Sequence, residues 1–375
     1  MTMRAVKLNP VTSKVFDADA LGLQHSRMSS RRTNILPESL LADLAKIGAR
    51  LERGLTVDDW ISRIGQALNA IPPELVVWAE REIVNAAGLF HGVPRHPSIS
   101  IIGMFRGRSS PSEQLRHVPG LEYLFLFHGD GHYREAALKQ IDGPIPSAFI
   151  FAAISWRLND WVPEVRAAAA DCASRSFART SPEVVVRAVM ALLGRQHSWR
   201  RWSEERSTLE AALRRPDVAS ELAAKVIAQR TGPAATVLRH ALKTDALDGF
   251  LERIAQEAVQ PAVRALAVKA LIDGCAAWPD GWQWRWVDKP MGVRRQETVF
   301  ARRTFAPTVA RDQMIEDAAR DRAATVRRVA VSSLIQYGLT TPQARHLAVV
   351  LLHDRSRAVR EHAEFILQRN AEVQG

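Results

Sequence analysis

Cysteine is scarce in this chain: Cys172 and Cys275 are the only two among 375 residues. Two thiols support neither a disulfide framework nor a four-ligand zinc site, so both are expected to be small core residues of a reduced, cytoplasmic protein. Long apolar runs are missing as well. The most apolar stretch, near Ile145–Ile154, is about half the ~20 residues a membrane span requires, and Pro146 and Ser147 interrupt it. The opening "MTMRAVKLNPVTSKVFDADALGL" has no apolar segment of the secretory kind. A soluble protein without a membrane role is expected.

The signatures of catalysis are lacking too. There is no HExxH, GxSxG, CxxC or dinucleotide fingerprint. "GMFRGRSS" places three residues between Gly103 and Gly107, where a phosphate-binding P-loop needs four, and Arg108 follows where Lys is required. The histidines, among them His91, His96, His128 and His132, form no metal-ligand spacing and are read as isolated surface or turn residues. No cofactor, no metal and no enzymatic activity are expected.

Apolar residues make up 47% and charged residues 24%, the proportions of an ordinary folded protein. The net charge of +11 suits an acidic partner, although it is carried by an arginine-rich composition: 8 of the 51 basic residues are Lys and 43 are Arg.

Internal repetition dominates the pattern. Asp, four residues, Val, Arg recurs in "DWVPEVR" (Asp160, Arg166), "DKPMGVR" (Asp288, Arg294), "DRAATVR" (Asp321, Arg327) and "DRSRAVR" (Asp354, Arg360). The arginines are 128, 33 and 33 residues apart, and 128 is four times 32. Weaker copies centred on Arg134, Arg200 and Arg264 fill the gaps. Each period reads as two helices: an apolar one such as "TSPEVVVRAVMALLG", then a second one after the Asp with small and apolar residues at helical spacing. No β-alternating segment of useful length stands out. A unit of this size cannot bury its apolar face alone, so stacked units are expected.

These residues resemble the HEAT-repeat family, in particular its bacterial HEAT-like branch. The resemblance implies an all-α fold: an α-solenoid of about eight HEAT-like helix pairs with an N-terminal helical cap. It also implies that Asp160, Arg166, Asp288, Arg294, Asp321, Arg327, Asp354 and Arg360 form a structural ladder, each Asp pairing with an Arg, often of a neighbouring repeat. The Asp–Arg motifs are therefore architectural rather than catalytic.

Four regions follow. Residues 1–34 are a basic segment expected to be disordered. Residues 35–90 are read as the cap, with helices in "PESLLADLAKIGARLERG", "TVDDWISRIGQAL" and "PPELVVWAEREIVNAAG". Residues 91–118 are a long basic loop, and residues 119–375 are the repeats.

"WPDGWQWRW" concentrates tryptophan: Trp278, Trp282, Trp284 and Trp286, of ten in the chain. The 32-residue register makes it the first helix of the sixth repeat, roughly Pro279 to Asp288. Trp282 and Trp286 would then pack between repeats, with Trp284 outside their stripe. A strand would instead put Trp282, Trp284 and Trp286 on one face; the period argues against it. The next helix, "PMGVRRQETVFARRTF", would point Arg295 outward. With Arg201, Arg302 and Arg328 it would form a basic column on the concave face, suited to phosphates or carboxylates.

The expected function is a non-enzymatic scaffold or adaptor that binds a macromolecule on its concave face, a protein first, through Arg201, Arg295, Arg302, Arg328 and Trp284. The alternatives are a nucleic-acid-binding solenoid using the Arg column and, by likeness of architecture, a HEAT-like alkylpurine DNA glycosylase.

Overall fold

The computed structural model describes residues 34–90, 110–193, 206–337 and 342–372. The expected disordered segment 1–34, all but the last residue of it, lies outside these, as do Arg201 and most of the 91–118 loop. Among the described residues the chain is mostly helical, with one two-stranded sheet. No helix there is long and apolar enough to cross a membrane.

Three helices lead: α1 (Glu38–Glu52), α2 (Asp58–Asn69) and α3 (Val76–Ala87). Leu40, Leu44, Ile47 and Leu51 recur at helical spacing and are buried. Gly88 ends α3 in the left-handed conformation, at φ 65°. The expected loop stops short of residue 118. Ser110 accepts from the amide of Glu113 while Glu113 bonds back to Ser110, and this capping box starts α4 (Pro111–His117).

After α5 (Leu121–Phe125) come α6 (Gly131–Gln140), α7 (Ala148–Arg157), α8 (Pro163–Ser176), α9 (Pro182–Leu193), α10 (Arg206–Leu213), α11 (Pro216–Ala228), α12 (Ala234–Ala241), α13 (Leu251–Glu257) and α14 (Pro261–Asp273). Proline opens α8, α9, α11 and α14, at the turn where its missing N–H costs nothing. Beyond the sheet lie α15 (Arg311–Ala319), α16 (Ala324–Gln336), α17 (Pro342–Leu351) and α18 (Arg357–Glu372). Helices pack in consecutive pairs, α13 with α14, α15 with α16 and α17 with α18. Their second members also pack on one another: α6 on α8, α14 on α16, α16 on α18.

Arginine–aspartate pairs link those second members. Arg134 reaches Asp160 at 3.0 and 2.8 Å, Arg264 reaches Asp321 at 2.8 and 2.9 Å, and Arg327 reaches Asp354 at 2.5 and 2.8 Å. Each is a two-pronged contact through Nε and Nη2, which matches guanidinium to carboxylate geometry. The remaining Nη1 donates to the main-chain carbonyl six residues back: His128, Ala258 and Asp321. Arg166 and Arg360 make the same backward bond to the carbonyls of Asp160 and Asp354. The six-residue spacing thus reflects a main-chain bond, while the side-chain partner belongs to the next pair. Each Asp also accepts from the amide two residues on: Val162, Ala323 and Ser356.

The expected sixth repeat is not there. Instead of two helices, Cys275–Asp288 forms strand β1 and Val293–Thr304 forms strand β2, an antiparallel hairpin. Asp288 and Arg294 are therefore no rung. Asp288 accepts from the Met291 amide in the hairpin turn, and the Arg294 guanidinium lies 4.6 Å from the Trp284 ring centre. The rungs show why the register misled. Arg134 and Arg327 meet an Asp 26 and 27 residues on, but Arg264 meets Asp321, 57 residues on. The excess is about one repeat, the length of 275–304. An insertion as long as a repeat keeps the period intact while leaving the helix stack. The fold is thus not purely α, and the expected count of helix pairs loses the one assigned to 279–305.

Candidate binding surface on the hairpin

The hairpin leaves the helical body at a closed base. Gly274 ends α14 in the left-handed conformation, and its carbonyl accepts from the Phe305 amide at 3.0 Å. Ala276 is buried and Trp278 half-buried against the core. Arg303 locks β2 down: it bonds Asp248 at 2.8 and 2.6 Å and the carbonyls of Leu242 and Thr244 at 3.2 and 2.8 Å.

A bulge then re-aims the aromatic residues. From Pro279 to Trp282 β1 advances three residues, while its partners on β2, Phe300 and Thr298, are two apart. Gly281 absorbs the extra residue at φ 109°, a conformation that strains any residue with a Cβ. An added residue exchanges the two faces of a strand beyond it. Trp278, opposite Ala301, therefore faces the body, whereas Trp282, Trp284 and Trp286, opposite Thr298, Gln296 and Arg294, share the outer face. They are 58%, 51% and 50% exposed, and Phe300, on the same side of β2, is 53% exposed. Trp282 and Trp284 meet edge to face, with centroids 5.8 Å apart.

Across β2 this outer face continues with Arg294, Gln296, Thr298, Phe300 and Arg302, and no carboxylate lies among them. The ion pair between the two strands sits on the other face, Arg285 with Glu297 at 3.3 Å. Roughly half of each ring's 150–250 Å² stays in water, so the aromatic patch is of the size that marks functional surfaces.

The expected basic column is not a single helical surface. Arg295 and Arg302 lie on β2, an odd number of residues apart and so on opposite faces; both are exposed. Arg328 is exposed on α16, and Arg201 lies outside the described residues. Of the expected contact residues, the hairpin puts Trp284 and Arg302 on one face, at different heights, and it adds Arg294, Trp282, Trp286 and Phe300 to that face. The alternation of tryptophan with Gln283 and Arg285 was the signal of a strand, and the repeat period outweighed it.

The most buried ladder arginines are those of the weak copies: Arg134 and Arg264 are almost fully buried. A second network joins α3 to the repeats. Glu80 accepts from Arg157 and from Trp156 Nε1, and Arg157 also bonds Asp160 at 2.9 Å. Burial pushes the Asp160 carboxyl up, but Arg134 and Arg157 outweigh it and hold it below its ordinary value.

His128 lies in the turn between α5 and α6, as expected, and is buried there. Burial pushes its pKa down to about 4, and its Nδ1 accepts from the Asp130 amide, so it is neutral and occupied near pH 7. It borders a cavity of about 500 Å³ whose lining includes Gly48, Ala87, Leu89 and Phe125. Among the described residues no group of three His, Cys, Asp or Glu is placed to hold a metal ion. Compared with known proteins, the chain matches no family profile, and no curated protein matches it.

Proposed function

We propose that this protein is a non-enzymatic, cytoplasmic α-solenoid of HEAT-like helix pairs, its N-terminal helices serving as a cap, that binds a macromolecule, with the hairpin as its recognition element. The carrying observation is the outer face of the hairpin, where Trp282, Trp284 and Trp286 stand together on strands the helical body leaves uncovered. An isolated two-stranded hairpin gains little from exposing three tryptophans, since their burial would stabilise it by a few kcal/mol each. An anchor as extensive as that of Arg303 holds this face in place. The glycosylase alternative needs a free carboxylate beside an aromatic pocket. Asp160, Asp321 and Asp354 are each engaged by arginine, and the tryptophans lie on an open face.

Hydrogen exchange tests the placement. The protein is incubated with and without a partner-containing native lysate fraction and re-isolated. Protection of hairpin amides 282–298 upon binding is expected. Protection confined to α16 around Arg328 would return recognition to the helix face and remove the hairpin from it.

A further inference from the structure

The hairpin face carries two kinds of group in one place. The rings offer flat π surfaces, at intervals of about 7 Å along β1, twice the rise per strand residue. The charged residues on the β2 side of this face are both cationic: Arg294 lies over Trp284 and Arg302 lies nearer the base. We infer that the outer face of the hairpin binds a single-stranded polynucleotide, its bases stacking on Trp282, Trp284 and Trp286 and its phosphates meeting Arg294 and Arg302. This rests on the hairpin being the recognition element and names its partner.

Three other occupants fit less well. A second copy would bring like charges together, because 275–304 holds six basic and three acidic side chains. An apolar peptide would leave both arginines unmatched. A duplex hides the faces of its bases within its own stack, so rings on an open strand have nothing to stack on except unpaired bases. Stacking tolerates any sequence, since every base has a π face, so binding without strong sequence preference is expected. The net charge of +11 adds long-range attraction for the strand.

The test uses the full chain and fluorescein-labelled 20-mers of mixed sequence, as single-stranded DNA, single-stranded RNA and duplex DNA, read by anisotropy at 50 and 200 mM salt. Binding of a single strand in preference to the duplex is expected, with quenching of intrinsic tryptophan fluorescence. Trp284→Ala and Trp282→Ala should each weaken it roughly tenfold, and Trp284→Phe should restore most of the loss. Two phosphate contacts predict a loss of about sevenfold between the two salt concentrations, and Arg294→Ala with Arg302→Ala should flatten that dependence. The DNA and RNA arms show which strand chemistry is preferred. These positions are exposed, so melting temperatures of the variants serve as the folding control.

No binding of either single strand at 50 mM salt overturns the inference, as does binding that ignores the tryptophan variants. Binding of anionic vesicles through the same tryptophans, with no binding of oligonucleotides, would assign the face to a membrane surface and overturn it as well. If oligonucleotides fail while the lysate partner still protects the hairpin, the polynucleotide falls and the hairpin remains the recognition element.

Discussion

Arg264 donates four hydrogen bonds: two to the Asp321 carboxylate and one each to the carbonyls of Ala258 and Val259. The side chain is 1% exposed and its partner 14%. Burying such a pair gives little net stability, but removing one member strands the other in a low-dielectric interior. Arg264→Ala is expected to cost about 3–5 kcal/mol in a denaturant melt. Arg294→Ala, on an exposed strand, should leave the midpoint unchanged within about 0.5 kcal/mol. Equal losses for the two would mean that Arg294 belongs to a rung after all. The motif points the other way, because "DKPMGVR" carries the full pattern around Arg294 while Arg264 stands in one of its weak copies. What separates them is the partner: Arg264 needed an Asp beyond the hairpin, while Arg294 sits over a tryptophan.

The bulge depends on one glycine. Gly281 holds φ 109° at the bulge, with open space where a Cβ would stand, so the cost of a larger residue is conformational and not steric. Gly281→Val therefore strains the bulge by about 1–3 kcal/mol. Amide exchange in 282–298 should accelerate roughly tenfold or more. The circular-dichroism exciton signal of the Trp282–Trp284 pair should fall, while the helical melt stays in place. Unchanged exchange together with an unchanged exciton signal would show that the bulge does not set the aromatic face. The bulge is hinted at by "PDG" inside an alternating aromatic run, since a glycine within a strand pattern marks a bulge.

Taken as a whole, the chain closes its packing across the hairpin: α14 packs on α16 and Gly274 bonds Phe305 directly at the base. Replacing 275–304 with a Gly-Ser link should therefore leave a folded helical protein. The loss of buried Ala276, half-buried Trp278 and the Arg303–Asp248 contact should lower the melting temperature by no more than about 5 °C. A chain that no longer melts cooperatively would show that the hairpin belongs to the core. The same deletion should abolish partner binding, which ties the recognition element to a part the fold does not require.

The helices were legible in the residues. Apolar spacing, proline at first turns and glycine after last turns are local signals, and they act over four or five residues of chain. Asp and Arg were legible as periodic for the same reason: the Nη1-to-carbonyl bond spans six residues, so the spacing is written into the repeat. The partner of each Arg, 26, 27 or 57 residues on, was not, because distant residues meet only when the helices between them have packed. The tryptophan run lay at the boundary between the two kinds of information. Its alternation said strand, its place in a 32-residue count said helix, and each reading was locally consistent. Packing settled it, because the helices on either side close on one another without it and leave Trp282, Trp284 and Trp286 no core to join. A segment with no core to bury its rings pairs with itself and presents them to the solvent.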